Sequence, residues 1–320
     1  MATYKEIHGT NIEVVSSDPS NPVVGQVWYN STSNLLKGAT FSAGSWSTST
    51  GLNTGRYSLT GVGTQTASLV FGGTGGPTNS EIWNGNSWTN TPSLDTGGTG
   101  IGGAGTTTAA LAFGGIPGIT ATQLWNGSSW STSPNSLPSE KNNMTGAGTQ
   151  TSALSIGGTE SGNPGLNTVE TWNGSSWTSA PTLTYGRAYT AGFGSSNTNA
   201  LVAGGEYPGS NYNYVETFNG SWTNAPTLNT GRAQLAGAGQ DSTSGLVFGG
   251  TVPSPYGNTT ETWNGSSWTS SPTALSVARR KLTGAGTFEK AFAAGGYKGS
   301  TANDVEEWNA GAIARTITTS

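Results

Sequence analysis

Five glutamates recur at one place in a repeating pattern of this 320-residue chain: Glu81, Glu170, Glu216, Glu261 and Glu306, each with Trp or Phe two residues later. A pair of carboxylates facing a cleft is what glycosidase chemistry requires. An acid placed in nearly every repeat, however, serves the repeat and not one cleft. Arg56, Arg187, Arg232 and Arg279 occur in units that carry the Glu, whereas the second unit has Gly98 and Gln123 and lacks both members. This points to Arg–Glu pairing between strands or neighbouring units. Lys141 with Glu170 is a weaker version, because lysine lacks the bidentate fork.

The remaining residue inventory offers little else for chemistry. There is no cysteine, which removes thiolate nucleophiles, disulfides and sulfur ligands together, and His8 is the one histidine. Metal sites need several partners, so His8 in its polar segment reads as a solvated residue. Gly61-Val62-Gly63 and Gly103-Ala104-Gly105 lack the helix and Lys-Ser/Thr context of a phosphate loop. Asn126-Gly127-Ser128, Asn173-Gly174-Ser175 and Asn264-Gly265-Ser266 match a glycosylation acceptor pattern, but Asn-Gly is also a hairpin signal that explains all three. The expectation is a non-enzymatic protein with no catalytic residues, no cofactor and no metal.

Net charge is −4 with 12 Lys+Arg, and Arg279-Arg280-Lys281 is the one basic run, read as a solvated strand start. This argues against a nucleic-acid surface, which normally shows a clustered basic patch. No apolar stretch approaches the roughly 20 residues of a membrane span, and Ala2-Thr3-Tyr4-Lys5-Glu6 is no signal core, so neither membrane insertion nor a nucleic-acid partner is expected.

The elements that position these residues follow from the repeat. With 51 Gly and 9% charged residues the chain resembles a low-complexity segment, but its 12 Trp recur at ordered positions flanked by Val, Thr and Ser, which argues for a packed fold. Gly-Gly pairs at 72–73, 114–115, 157–158, 204–205, 249–250 and 295–296 are spaced about 42 to 47 residues apart, the length of a four-stranded propeller blade. Within each unit the first strand is small and Gly-rich, suiting an innermost position. The second is apolar and ends at the Gly pair. The third carries the acid and aromatic, and the fourth opens with Trp after a tight turn.

The last unit lacks its second Trp, with Ala310-Gly311-Ala312-Ile313 in that place. Gly44-Ser45-Trp46-Ser47-Thr48 supplies it from the other end of the repeats, which predicts that this segment pairs with the C-terminal strands and closes the ring. The expected fold is all-β: a six-bladed propeller closed by an N-terminal strand, with a short N-terminal extension. A seventh blade assembled from residues 24 to 52 is the alternative. The expected domains are an attachment or oligomerisation segment, 1–43, and the propeller, 44–320.

The Gly pair after an apolar strand, the acid and aromatic on the next, the separated Trp and the Gly-Arg before the following unit resemble the kelch motif over roughly residues 44 to 320. Within kelch propellers, an oxidase resembling galactose oxidase would need histidines and a cysteine-modified tyrosine, which this chain cannot supply. Met1-Ala2-Thr3-Tyr4-Lys5-Glu6, Pro22, Gly25-Gln26-Val27-Trp28-Tyr29-Asn30 and Leu35-Leu36-Lys37-Gly38 are similar to the opening of kelch-like virion structural proteins of marine tailed phages. That resemblance implies a phage virion structural protein on the particle exterior, as capsid decoration, tail or fibre component. Its implied partners are other virion proteins through the N-terminal segment and further copies of the chain. The alternative is a host glycan or receptor-binding module that uses variable loops on one rim. Its candidate ligand-binding residues are Tyr207, Tyr212, Tyr214 and Tyr256.

Overall fold

Alternation of small, β-branched and aromatic residues between Gly- and Asn-rich turns gives a chain made of strands, with no helix among the described residues. The computed structural model describes residues 12–23, 25–252 and 254–317. His8 and the first six residues, on which part of the phage resemblance rests, lie outside them.

The described residues form seven four-stranded sheets, an all-β arrangement consistent with a propeller-like fold. The chain divides into two compact units, 1–44 with 310–320, and 45–309. In the smaller unit β1 (Glu13–Val15), β2 (Val27–Asn30) and β3 (Leu35–Phe41) are joined by the C-terminal β28 (Ala312–Thr316), in the order β1-β2-β3-β28. Its β1–β2 pair is parallel, unlike any pair in the other six sheets.

In the larger unit β4 (Ser45–Ser49) precedes five sheets made of consecutive strands. They are β5 (Thr60–Thr64) to β8 (Trp88–Thr91) with β6 (Ala67–Phe71) and β7 (Ser80–Trp83) between, then β9 (Gly102–Gly105), β10 (Ala110–Phe113), β11 (Thr122–Trp125) and β12 (Trp130–Thr132). The third comprises β13 (Thr145–Thr149), β14 (Ser152–Ile156), β15 (Val169–Trp172) and β16 (Trp177–Ala180). The fourth comprises β17 (Ala191–Ser196), β18 (Asn199–Ala203), β19 (Val215–Phe218) and β20 (Trp222–Ala225). The fifth comprises β21 (Ala236–Asp241), β22 (Ser244–Phe248), β23 (Thr260–Trp263) and β24 (Trp268–Ser270). In the last, β25 (Thr283–Gly286), β26 (Lys290–Ala294) and β27 (Val305–Asn309) are completed by β4, with Trp46 opposite Trp308.

The repeats lead to an expectation of six sheets or seven, and the structure has seven. The seventh is not drawn from residues 24–52 as a block: residues 45–49 go to the sheet of β27, and the C-terminal β28 takes the place beside β3.

The core lies between successive sheets. Val62, Leu69 and Phe71 of the β5–β8 sheet pack with Ala110, Ala112, Trp125 and Trp130 of the next. Second strands are buried along nearly their whole length, as in Ala67–Phe71 and Ala110–Phe113. Third- and fourth-strand aromatics stand opposite each other with ring centroids 5.3 Å apart for Trp83–Trp88 and 5.4 Å for Trp125–Trp130. Each buried indole contributes about 2–3 kcal/mol, which organises sheets poor in Leu and Ile. Glycine in the first strands permits the close approach: a Cβ on Gly103 would sit 2.7 Å from the Phe71 ring of the preceding sheet.

Indole nitrogens tie sheet to sheet. Trp130 Nε1 donates to Ser80 Oγ at 3.4 Å, Trp177 Nε1 to Thr122 Oγ1 at 2.8 Å and Trp46 Nε1 to Thr260 Oγ1 at 2.9 Å, in each case to the first residue of the preceding sheet's third strand. Val169 and Val215 hold that place before Trp222 and Trp268, whose buried Nε1 atoms have no partner among the described residues.

Candidate functional site

The acids are consumed inside the sheets. Arg56 pairs with Glu81 at 2.7 Å, Arg187 with Glu216 at 3.0 Å, Arg232 with Glu261 at 2.7 Å and Arg279 with Glu306 at 2.6 Å. In each case the Arg lies in the segment entering a sheet and the Glu on that sheet's third strand. Lys141 meets Glu170 at 2.7 Å.

The guanidinium also binds the Gly pair: Arg56 Nη1 donates to the carbonyls of Gly72 and Asn79, and Arg187 Nη1 to those of Gly204 and Tyr214. The carboxylate in turn accepts backbone N–H groups, Asn53 and Thr54 for Glu81 and Asn229 and Thr230 for Glu261. Burial, outweighing the attraction of the partner Glu, lowers the Arg56 and Arg232 guanidinium pKa and brings that of Arg187 down to about 10. In the second sheet Gln123 replaces the ion pair with neutral bonds, accepting from Thr96 N and donating to Thr96 O.

A different set of residues forms an accessible site. Just before each first strand of the larger unit stands a residue with left-handed backbone: Ser58 (φ 53), Gly100 (65), Asn143 (53), Tyr189 (55), Gln234 (55) and Lys281 (55). Their backbones form a cycle. The N–H of Ser58 donates to the carbonyl of Lys281, Gly100 to Ser58, Asn143 to Gly100, Tyr189 to Asn143, Gln234 to Tyr189 and Lys281 to Gln234, at 2.8 to 2.9 Å. Non-glycine residues at positive φ carry a cost of about 1–3 kcal/mol each, and the hydrogen bonds of the cycle offset it.

The preceding residue bridges to the one after the Gly pair, as in Tyr57–Thr74, Ala188–Glu206 and Arg280–Tyr297. The backbone frame is thus the same in all six places while the side chains differ, so side-chain identity alone gives the ring its chemistry.

The six residues surround a cavity of about 130 Å³, and a further cavity of about 100 Å³ is lined by Gly, Ala, Val62 and Phe193 of the same first strands. The ring's polar groups are unevenly distributed. The Lys281 ammonium stands 5.6 Å from the Tyr57 ring centroid and 5.9 Å from that of Tyr189. The Arg280 guanidinium stands 5.6 Å from Tyr256 and 5.7 Å from Tyr297, and Tyr297 packs edge-on against Tyr57 at 5.3 Å. Burial and the neighbouring Arg280 lower the Lys281 pKa; burial raises that of Glu206, against the pull of Gln234, Lys281 and Arg280. Burial and Glu206 together raise the Tyr189 hydroxyl pKa.

The basic run is therefore not one solvated strand start. Arg279 is fully buried in an ion pair, Arg280 lies over two tyrosines, and Lys281 lines the cavity. Of the four tyrosines singled out from sequence, Tyr256 belongs to this cluster. Tyr212 packs 4.8 Å from Tyr214, which stacks on Tyr185 at 4.3 Å, a separate group with no ring contact to Tyr256 among the described residues. Tyr207 is exposed in a turn closed by its N–H to Ser210 O. Sequence reasoning missed Tyr57, Tyr189, Gln234 and Tyr297. Aligning the repeats at the residue before each first strand would have exposed this variable column.

The smaller unit offers a surface of another kind. On one face Asp18 accepts from Trp28 Nε1 at 3.1 Å, Asn30 Nδ2 at 2.7 Å and Lys37 Nζ at 2.6 Å. The hydrogen bond from Lys37, then those from Asn30 and Trp28, bring its carboxyl pKa down to about 2. Register places Val14, Val27, Tyr29 and Leu36 on the other face, joined by Ile317 against Gly38. Among the described residues eight large apolar or aromatic side chains are exposed, and five of them, Val14, Val23, Val27, Leu35 and Ile317, belong to this unit of 55 residues.

No protein-family model matches the chain, and a search of curated proteins gives no match.

Proposed function

We propose that this protein is a non-enzymatic structural protein of a phage virion, attached through the unit of residues 1–44 and 310–320 and displaying a six-bladed kelch-type propeller, completed by β4, on the particle exterior. The carrying observation is the concentration of exposed apolar side chains in the small unit. Exposed apolar surface marks interaction sites, and here Val14, Val27 and Ile317 share one face of a sheet separate from the repeats. The cycle of backbone hydrogen bonds and the β4–β27 pairing support six blades and a closed ring. The burial of Glu81, Glu216, Glu261 and Glu306 in ion pairs supports a scaffold role, since those acids are committed to holding sheets together.

Mass spectrometry of purified virus particles from the source, with antibody-gold electron microscopy, tests the reading. The protein is expected among the particle components with gold on the exterior. Its absence from purified particles would overturn the virion role, and replacement of Val14, Val27 and Ile317 by Ser is expected to abolish incorporation without unfolding the larger unit.

A further inference from the structure

The sequence contains five Asn-Gly steps, Asn84-Gly85, Asn126-Gly127, Asn173-Gly174, Asn219-Gly220 and Asn264-Gly265, each in the hairpin between a third and a fourth strand. Their chemistry is alike in the unfolded chain, and the fold sets one of them apart. In four hairpins the Asn N–H donates to the carbonyl of the third residue on, as Asn173 does to Ser176. There the Asn Oδ1 accepts two backbone N–H groups at 2.9 to 3.0 Å, from Asn86 and Ser87, Ser128 and Ser129, Ser175 and Ser176, and Ser266 and Ser267. Those two bonds fix the carboxamide, which must leave them before it can turn.

Asn219 is the exception. Its turn is one residue shorter than the Asn-Gly-Ser-Ser-Trp of 173–177, and its N–H donates to Ser221 O. Among the described residues no hydrogen bond holds the Asn219 carboxamide, and the residue is exposed. The glycine that follows is open as well. A Cβ on Gly85, Gly127, Gly174 or Gly265 would lie 3.0 to 3.5 Å from Thr66, Thr108, Thr151 or Thr243, whereas one on Gly220 would meet nothing within 4 Å. Asn219 also lines a cavity of about 290 Å³ with Asn224 and Thr243, which leaves its side chain room to move.

We propose that Asn219 is a site of spontaneous amide-to-acid conversion that outpaces the other four Asn-Gly steps. The backbone nitrogen of Gly220 attacks Cγ of Asn219 and a C–N bond forms, closing a succinimide. The Cγ–Nδ2 bond breaks, and ammonia leaves with the proton of the Gly220 N–H. Water then adds to one of the two succinimide carbonyls and opens the ring, giving Asp or isoaspartate at position 219. Glycine suits the step, because without a Cβ its nitrogen is unhindered. The product adds one negative charge to the formal −4, and no cation lines the cavity beside it. This chemistry is independent of how the small unit attaches to a particle.

The test is peptide mapping by mass spectrometry after incubation of the folded full chain at mildly alkaline pH, with a parallel sample in urea. In the folded chain Asn219 is expected to convert at least about tenfold faster than each of the other four, and in urea at a rate similar to theirs. Insertion of one Ser after Ser221 restores the turn length of 173–176 and should slow Asn219 to the rate of Asn173. Deletion of Ser175 shortens the turn of the third sheet and should raise Asn173 to the rate of Asn219. Near-equal rates at all five asparagines in the folded chain, or a faster step at another of them, would overturn the proposal whatever the two variants do. A preference for Asn219 that persists in urea would assign it to local sequence and overturn the structural cause.

Discussion

Glu261 accepts the Nη2–H of Arg232 at 2.7 Å with both side chains about 1% exposed, and its second oxygen accepts the N–H of Asn229 at 2.7 Å. The pair joins the segment entering a sheet to that sheet's third strand. Burial lowers the Arg232 pKa against the pull of Glu261, and a buried ion pair of this kind need not add net stability. Removing one partner is a different matter, since it leaves a buried charge alone.

Glu261→Ala is accordingly expected to cost about 3–5 kcal/mol in urea unfolding. In the second sheet, where Gly98 replaces the arginine, Gln123→Glu places a carboxylate beside Thr96 with no cation. Burial raises the pKa of that new acid, so the variant should be clearly destabilised at pH 7 and recover as pH falls and the group protonates. A loss below about 1 kcal/mol for Glu261→Ala would refute the structural role.

The indole bonds between sheets make a second test. Thr122→Val removes the acceptor of Trp177 Nε1 and should cost about 1–3 kcal/mol. Val215→Thr does the reverse for Trp268, whose Nε1 is buried without a partner in the cluster that contains Val215. Its indole N–H is expected to shift downfield in NMR and exchange more slowly with solvent. An unchanged indole resonance would show that the two side chains do not meet.

The Gly pairs are required by backbone as well as space. Gly73 has φ +95, and a Cβ there would lie 2.8 Å from Tyr57 O and 2.9 Å from Leu59 Cβ. Gly73→Ala should cost at least about 1–3 kcal/mol from conformation alone, before the clash is counted. Thermal unfolding of this variant beside Gly209→Ala checks the packing contribution, because Gly209 also has positive φ (+74) but nothing within 4 Å of the point a Cβ would occupy.

Asp18 sets an acid limit for the smaller unit. Its pKa falls from 3.8 to about 2, so its contribution to stability is fully present above about pH 4 and disappears as pH falls through 2. Trp28, whose indole donates to this carboxylate, should report the loss as a fluorescence change between those limits. Asp18→Asn is expected to flatten that change, and an unaltered profile would assign it elsewhere.

The sequence by itself determined the repeating sheet. A Gly pair, an acid two residues before an aromatic, and Trp after an Asn-Gly turn each impose a local geometry, through positive φ, strand alternation and hairpin twist, so they are legible without tertiary information. The Arg–Glu pairs were legible for the same reason, because the second unit lacks both members at once. Trp46 could be matched to the missing ring of the last unit, and it lies opposite Trp308.

Only the tertiary structure decided what stands at the cavity mouth. Ser58, Tyr189, Gln234 and Lys281 are up to 223 residues apart in the chain and meet because a cycle of backbone hydrogen bonds sets one residue of each sheet beside the next. Local propensity says nothing about such distant neighbours. Likewise, the pairing of β28 with β3 depends on where two remote segments arrive, and no pattern within either segment specifies its partner.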